Sequence, residues 1–271
     1  MRKIGKILKK VTINDLFMMK NREKIVMITA YDALFARLFD DYVDMILVGD
    51  SLNMSFGGKN ETIGLSVDDM IYHTKAVQNG AKKAFLVVDM PFGSACTPQI
   101  ALKNAIKIYK KTGCDAVKIE GTKEMADTIK LLSQNGIIVM SHIGLKPQMS
   151  RFEGGYKIKG KDELSAKSIL EDAIVLESAG ASLFLLEGIV SSVASEISQK
   201  LKVPTIGIGS GASCDGQVLV WSDAFGFFDE FKPKFVKRYL EGATLIKNSL
   251  KEYADEVKNS KFPSSQYEYT K

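Results

Sequence analysis

Five short apolar segments, one ending on a carboxylate and a hydroxyl and four on a titratable side chain, restrict what this chain can fold into more than any other feature. They are Ile46-Leu47-Val48-Gly49-Asp50-Ser51, Ala84-Phe85-Leu86-Val87-Val88-Asp89, Ala116-Val117-Lys118-Ile119-Glu120, Ile137-Ile138-Val139-Met140-Ser141-His142 and Ser182-Leu183-Phe184-Leu185-Leu186-Glu187. Runs of this length and apolar content read as strands buried on both faces. Alternate residues of a strand share a face, so Ile46, Val48 and Asp50 are expected to point one way, with the acid capping an apolar column. A barrel of parallel strands collects the carboxyl ends of all its strands at one rim. It would bring Asp50, Asp89, Glu120, His142 and Glu187 together from distant parts of the chain.

Helical segments fill the intervals. Thr12 caps a short helix reaching Lys20, and Asp32 caps one carrying Leu34, Phe35, Leu38 and Phe39. Ser66 and Asp69 form a capping box for a helix ending at Gly80. Pro98 opens, and Gly113 closes, the next. Further helices are expected over 123–134, 162–179, 191–201 and 234–257, with a first strand inside 24–31, a seventh over 203–208 and an eighth near 217–221. Two long glycine-bearing segments, 53–64 and 144–161, read as rim loops. The alternation predicts an α/β fold: a single-domain (β/α)8 TIM barrel over 1–271, with a short N-terminal helix and loosely ordered ends at 1–11 and 259–271. A dinucleotide-binding open sheet drops out, because Thr29-Ala30-Tyr31-Asp32 stands where a glycine fingerprint is required.

Composition narrows the function. The net charge is +5, but the lysines are scattered and no basic-aromatic motif accompanies them, so no nucleic-acid partner is expected. No run of 18 apolar residues exists, so no membrane partner is expected either. The basic start (Arg2, Lys3, Lys6, Lys9, Lys10) is not a signal peptide, because Asn14, Asp15, Lys20 and Asn21 break up the next stretch before an apolar h-region can form. Cys96, Cys114 and Cys214 form no CxxC pair and suit reduced thiols in the cytoplasm.

The rim residues carry the chemistry. Asp50 and Asp89 would repel each other, and a divalent cation removes that cost. Oxygen-only ligation suits Mg²⁺, with Glu120 as a third oxygen. Lys118 shares a face with Glu120 and offers a donor for a carboxylate or oxyanion, a Schiff-base amine, or simply an internal ion pair. Glu187, without a local cation, suits a general base near neutral pH, or a helix cap. His142 is expected to hydrogen-bond a carboxylate, in either a packing or a catalytic role, and His73, within a helix, to be structural or to support the site from behind. Gly207, Gly209 and Gly211 could present N–H groups to an anion or merely let backbones pass closely.

These residues resemble the ketopantoate hydroxymethyltransferase family. The resemblance is carried by Thr29-Ala30-Tyr31-Asp32, Val48-Gly49-Asp50-Ser51, Asp68-Asp69-Met70-Ile71-Tyr72-His73-Thr74-Lys75-Ala76-Val77, Asp89-Met90-Pro91-Phe92, Val117-Lys118-Ile119-Glu120-Gly121, His142-Ile143-Gly144-Leu145, Gly154-Gly155-Tyr156, Ile206-Gly207-Ile208-Gly209 and Asp215-Gly216-Gln217-Val218-Leu219-Val220. It implies a (β/α)8 barrel using one Mg²⁺ per subunit and 5,10-methylenetetrahydrofolate as co-substrate, assembled as a homo-oligomer, a decamer. It further implies that Asp50, Asp89 and Glu120 form the metal site, that Asp50, Ser51, Asp89 and Lys118 bind a 2-oxo acid, and that Glu187 accepts a proton. A lyase or mutase of the phosphoenolpyruvate mutase/isocitrate lyase type is the alternative, since those barrels resemble this one around a Gly-Asp-Ser strand end. A catalytically silent barrel used for binding is the third reading.

Overall fold

A computed structural model of the protein describes residues 9–228 and 232–269. Arg2, Lys3 and Lys6 of the basic start therefore lie outside the described residues, whereas Lys9 and Lys10 pair with Asp15 and Asp115. The chain divides into two compact units, Met1–Val220 and Trp221–Lys271.

The first unit holds eight parallel strands: β1 (Ile25–Thr29), β2 (Met45–Val48), β3 (Phe85–Asp89), β4 (Ala116–Glu120), β5 (Val139–Gly144), β6 (Leu183–Glu187), β7 (Thr205–Ile208) and β8 (Gly216–Leu219). They close in sequence order, β8 pairing with β1, into the barrel the alternation predicts. The helices are α1 (Ile13–Met19), α2 (Ala33–Phe39), α3 (Leu52–Ser55), α4 (Val67–Gly80), α5 (Pro98–Thr112), α6 (Ala126–Gln134), α7 (Ser150–Glu153), α8 (Glu163–Ser178) and α9 (Ser191–Lys200). The predicted caps form: Thr12 and Ser66 close capping boxes with Asp15 and Asp69, Asp32 accepts from the N–H groups of Leu34 and Phe35, and Gly113 ends α5 at φ +62°. A left-handed residue there satisfies the last helical carbonyls without a Cβ clash.

One face of every strand fills the barrel. Ile25 and Met27 of β1, Met45 and Leu47 of β2, Phe85 and Val87 of β3, Ala116 of β4, Met140 of β5, Leu183 and Leu185 of β6, Ile206 and Ile208 of β7 and Val218 of β8 form one buried cluster. Leu16 of α1 joins it at the N-terminal end, where Val11 N–H also bonds the Lys83 carbonyl just before β3. This corrects the expected parity of β2. Met45 and Leu47 point in, so Ile46 and Val48 belong to the opposite face, and Asp50 does not cap their column. The strand stops at Val48 and the chain turns, with Ser51 already in a helical conformation. Asp50 reaches the mouth through that turn.

The rim loops are less irregular than expected, since 53–64 begins within the single turn α3 and 144–161 contains a 3-10 turn (Pro147–Met149) followed by α7. Gly207 within β7 and Gly211 after it have a packing explanation. A Cβ on Gly207 would lie 2.9 Å from Cys214 Sγ, and one on Gly211 2.7 Å from Ser191 Cβ.

The second unit contains α10 (Trp221–Ala224) and α11 (Gly242–Lys258). The helix expected over 234–257 starts later because the preceding backbone bonds elsewhere: Tyr239 N–H donates to the Ala224 carbonyl and Gly242 N–H to that of Phe225. Similarly β8 ends before Trp221, which opens α10 instead. Phe262 packs its ring near Tyr253 and Tyr267. Among the described residues no helix is long and apolar enough to cross a membrane.

Asp40, beyond α2, organises the entry to β3. Its buried carboxylate accepts N–H donors from Lys82, Lys83 and Ala84 at 2.7–3.1 Å. Replacing it leaves three backbone donors unsatisfied, so Asp40→Ala is expected to lower the urea-unfolding free energy by about 3 kcal/mol. Asp41→Ala, which removes only a surface partner of Lys83, is expected to cost less than about 1 kcal/mol in the same measurement.

Candidate active site

The inward parity that fills the core carries on to the carboxyl ends of the strands. Asp89 follows Val87, Lys118 and Glu120 follow Ala116, His142 follows Met140, and Glu187 follows Leu185, each two residues further along the same face. The register aligns them laterally, with Asp89 beside Lys118, Glu120 beside His142, and Gly144 beside Glu187. The rim therefore gathers the residues singled out in the sequence. On β2 the inward position falls to Gly49, where a Cβ would stand 3.1 Å from Ser51 Oγ and 3.5 Å from Asp89 Oδ2. A side chain at position 49 would crowd both groups.

A continuous chain of contacts links the side chains. Asp50 N–H donates to Asp89 Oδ2 at 2.8 Å, and Asp89 Oδ1 lies 2.7 Å from Lys118 Nζ. Gln148 Nε2 donates to Asp50 Oδ2 at 2.7 Å while its backbone N–H donates to Glu120 Oε2 at 3.0 Å. His142 stands between Glu120 and Glu187, with Nδ1 at 3.5 Å from Glu120 Oε1 and Nε2 at 3.3 Å from Glu187 Oε2. Those two are charge contacts rather than aligned hydrogen bonds. On the neighbouring strand end, the hydroxyls of Tyr31 and Ser51 are 2.7 Å apart, and His73 Nδ1 donates to the Tyr31 carbonyl at 2.7 Å. His73 thus braces the backbone that carries Tyr31.

Burial makes these contacts costly to break. Asp50, Asp89, Lys118 and His142 are all buried, and Glu120's side chain is only 3% exposed. Burial and the adjacent Asp89 charge hold the Asp50 carboxyl well above the ordinary carboxylate range, with Lys118 opposing them. Burial also works against the Lys118 charge, but Asp89, Asp50 and Glu120 outweigh it and keep the ammonium more basic than usual. His142 is pushed up to about 9: burial and Lys118 disfavour its charge, and its contacts with Glu120 and Glu187 overcome them. Glu120 is drawn the other way, with burial raising it and His142, Lys118 and the Gln148 N–H lowering it further. Glu187, expected to lack a local cation, instead has His142 Nε2 3.3 Å away, and its side chain is 20% exposed, reaching solvent as well.

The donor set fits a hard divalent cation. Asp89 Oδ1 and Glu120 Oε1 are buried and make no aligned hydrogen bond, and Asp50 carries the electrostatic cost of its like-charged neighbour. Among the described residues no group of three or more His, Cys, Asp or Glu side chains is placed to hold a metal ion by itself, so water and substrate would have to complete any coordination. An open set of carboxylate oxygens is the arrangement Mg²⁺ accepts, since it keeps waters and takes other ligands from substrate. Gln148 is the residue of this chain of contacts that sequence reasoning misses. Its one local signal is Pro147, which starts the rim turn that aims it inward.

Lys118 is the only lysine or arginine in the chain of contacts between Asp50 and Glu187. Lys118→Met is expected to destabilise the metal-free protein by about 3–5 kcal/mol at pH 8, read by urea unfolding. A carboxyl held above its ordinary value costs stability as pH rises toward its folded-state value. The loss should therefore be smaller at pH 5.

Comparison with known proteins adds the family. The family model described as ketopantoate hydroxymethyltransferase matches residues 10–265. The chain is 58% identical over 262 residues to the 3-methyl-2-oxobutanoate hydroxymethyltransferase of Helicobacter pylori (strain ATCC 700392 / 26695), covering 97% of both chains. It is 59% identical over 261 residues to the Campylobacter concisus (strain 13826) protein of the same name, covering 96% of both. Among solved structures it is similar in fold to phosphonopyruvate hydrolase in complex with oxalate and Mg²⁺ (TM-score 0.62, 12% identity, 94% of this chain and 93% of that one). A second is 2,3-dimethylmalate lyase, of the phosphoenolpyruvate mutase/isocitrate lyase superfamily (TM-score 0.59, 16% identity, 95% and 91%). At such identities the structural likeness speaks for the (β/α)8 architecture alone. On the strength of the family model and these relatives, the chain belongs to the ketopantoate hydroxymethyltransferase family of enzymes.

Proposed function

We propose that the protein transfers a hydroxymethyl group from 5,10-methylenetetrahydrofolate to 3-methyl-2-oxobutanoate, giving 2-dehydropantoate and tetrahydrofolate, a step of pantothenate and hence coenzyme A biosynthesis. The observation that carries this reading is the unbroken line of contacts from Asp50 and Asp89, through Gln148, Glu120 and His142, to Glu187. Such a line would let a cation held by the buried carboxylates and a base at Glu187 act on one substrate. Family membership supports the substrate pair, and the same membership supports a cytoplasmic homo-oligomer, a decamer.

Asp50 and Asp89, with Glu120, would hold one Mg²⁺. Bound there, the ion would supply Lewis-acid polarisation of the 2-oxo group. The chain's own residues do the rest. Lys118, fixed against Asp89 and deeply buried, offers fixed positive charge to the substrate's developing oxyanion. Ser51, held by Tyr31, donates its hydroxyl proton toward the same acid. Glu187, partly open to the mouth, accepts the proton from C3 of the 2-oxo acid. The electron pair left on C3 forms the new bond to the one-carbon unit; both bonds of that carbon to folate nitrogens break, water supplies the hydroxyl, and the two nitrogens take up the proton lost from C3 and the second proton of the water. His142 stabilises the negative charge on Glu187 before the transfer and holds its orientation.

Glu187→Gln keeps the shape and removes the base. Expected is a loss of kcat of about 10²–10⁴-fold, together with loss of C3 proton exchange between 3-methyl-2-oxobutanoate and deuterated water in the absence of folate. A folded variant exchanging that proton at the wild-type rate would remove Glu187 from the role.

A further inference from the structure

Gln148 reaches into the site from a loop and touches three things at once. Its two amide protons go to Asp50 Oδ2, at 2.7 Å, and to the Met90 carbonyl, at 3.1 Å. Its backbone N–H goes to Glu120 Oε2 at 3.0 Å. The residue that follows Asp89 and two of the three carboxylates assigned to the metal are therefore tied to one turn of the 144–161 segment. That turn is short and well defined, with Pro147 at its start, Met149 N–H closing on the Lys146 carbonyl, and α7 continuing directly from it.

The same segment is fastened to the opposite rim loop. Arg151, on α7, meets Glu61 in a two-pronged ion pair, Nε to Oε2 at 2.8 Å with Nη2 on Oε1 as the second prong. The Glu61 carbonyl is in turn held by Asn53 Nδ2 at 2.6 Å, and Asn53 lies on α3, immediately after Asp50 and Ser51. The path thus closes on itself, from Asp50 through Gln148 and Arg151 to Glu61, Asn53 and back to the strand end that carries Asp50. A carboxamide is the group this position calls for. A carboxylate would add a fourth acid beside Asp50 and Glu120, and an aliphatic side chain would leave Asp50 Oδ2 without its donor.

We propose that Gln148 is a positioning residue that couples the 144–161 rim segment to the metal-binding carboxylates, so that the order of the loop and the affinity of the site for a divalent cation rise and fall together. The inference rests on the reading of Asp50, Asp89 and Glu120 as the cation site. It assigns Gln148 no contact with the reacting atoms. Groups that orient metal-ligating carboxylates characteristically carry about 10–100-fold of the metal affinity. A loop that supplies such a group is stabilised by the ion it helps to bind.

The test uses the full-length protein and Mg²⁺ alone. Calorimetric titration of Gln148→Leu is expected to show Mg²⁺ binding weakened about 10–100-fold, and hydrogen exchange is expected to show faster amide exchange in 144–161 without metal. Arg151→Ala leaves the contacts of Asp50, Asp89 and Glu120 in place and breaks only the far end of the path, at Glu61. It is expected to speed exchange in the same segment and to weaken Mg²⁺ binding measurably, by several-fold. Added Mg²⁺ should slow exchange of 144–161 in the wild-type protein and much less so in Gln148→Leu. Wild-type Mg²⁺ affinity in both folded variants, or Mg²⁺-independent exchange of 144–161 in the wild-type protein, would overturn the coupling while leaving the cation site intact. Failure of the wild-type protein to bind Mg²⁺ at all would instead overturn the reading of the carboxylates, and the coupling with it.

Discussion

Closing eight parallel strands into a barrel leaves each strand one inward face, and that parity decides which side chains can meet. Once Val87, Ala116, Met140 and Leu185 are committed to the core, Asp89, Lys118, His142 and Glu187 two positions later have no other direction to face. The consequence is electrostatic. Asp50, Asp89, Glu120 and Glu187 converge on a mouth where three of them are buried, and Lys118 and His142 are the cations in contact with them. A cluster of that sign is unfavourable in a low dielectric unless further positive charge arrives. A divalent cation would supply that charge.

The two ends of the barrel divide the work. At the amino ends, α1 inserts Leu16 into the core, and Lys20 forms a buried ion pair with Asp215, which also accepts from the Thr205 N–H and hydroxyl. Those polar groups are paired among themselves and expose little. At the carboxyl ends, Asp89 Oδ1, Glu120 Oε1 and both His142 nitrogens lack an aligned hydrogen-bond partner. The same fold supports lyase and phosphonate-cleaving chemistry in distant structural relatives, so the architecture does not choose a reaction. In this mouth Glu187 is joined to the buried carboxylates through His142.

Much of this is legible in the order of the residues. Asp89, Lys118, Glu120, His142 and Glu187 continue the alternation of the strands that carry them, and alternation is what a sequence displays most directly. Asp50 stands out in the sequence for the wrong geometric reason. Its strand has already ended at Val48, and a turn, not strand parity, aims it at the mouth. Gln148 is invisible there because a loop residue has no periodicity, and its partners Asp50 and Glu120 lie far away in the chain. The late start of α11 escapes for a similar reason. Phe235 to Glu241 has helical composition, but the Tyr239 and Gly242 N–H groups are claimed by the Ala224 and Phe225 carbonyls, and such competition is tertiary.

The central claim is that these acids surround one hard cation beside a 2-oxo acid. A crystal of the protein grown with Mn²⁺ in place of Mg²⁺ and soaked in 3-methyl-2-oxobutanoate tests it most directly, because Mn²⁺ scatters anomalously and takes the same oxygen ligands. The account predicts one anomalous peak per subunit at about 2.2 Å from carboxylate oxygens of Asp50 and Asp89, with the 2-oxo acid chelating it and its C3 facing Glu187. An anomalous peak elsewhere on the chain, or the oxo acid bound at the mouth with no cation between it and Asp50 and Asp89, would contradict it.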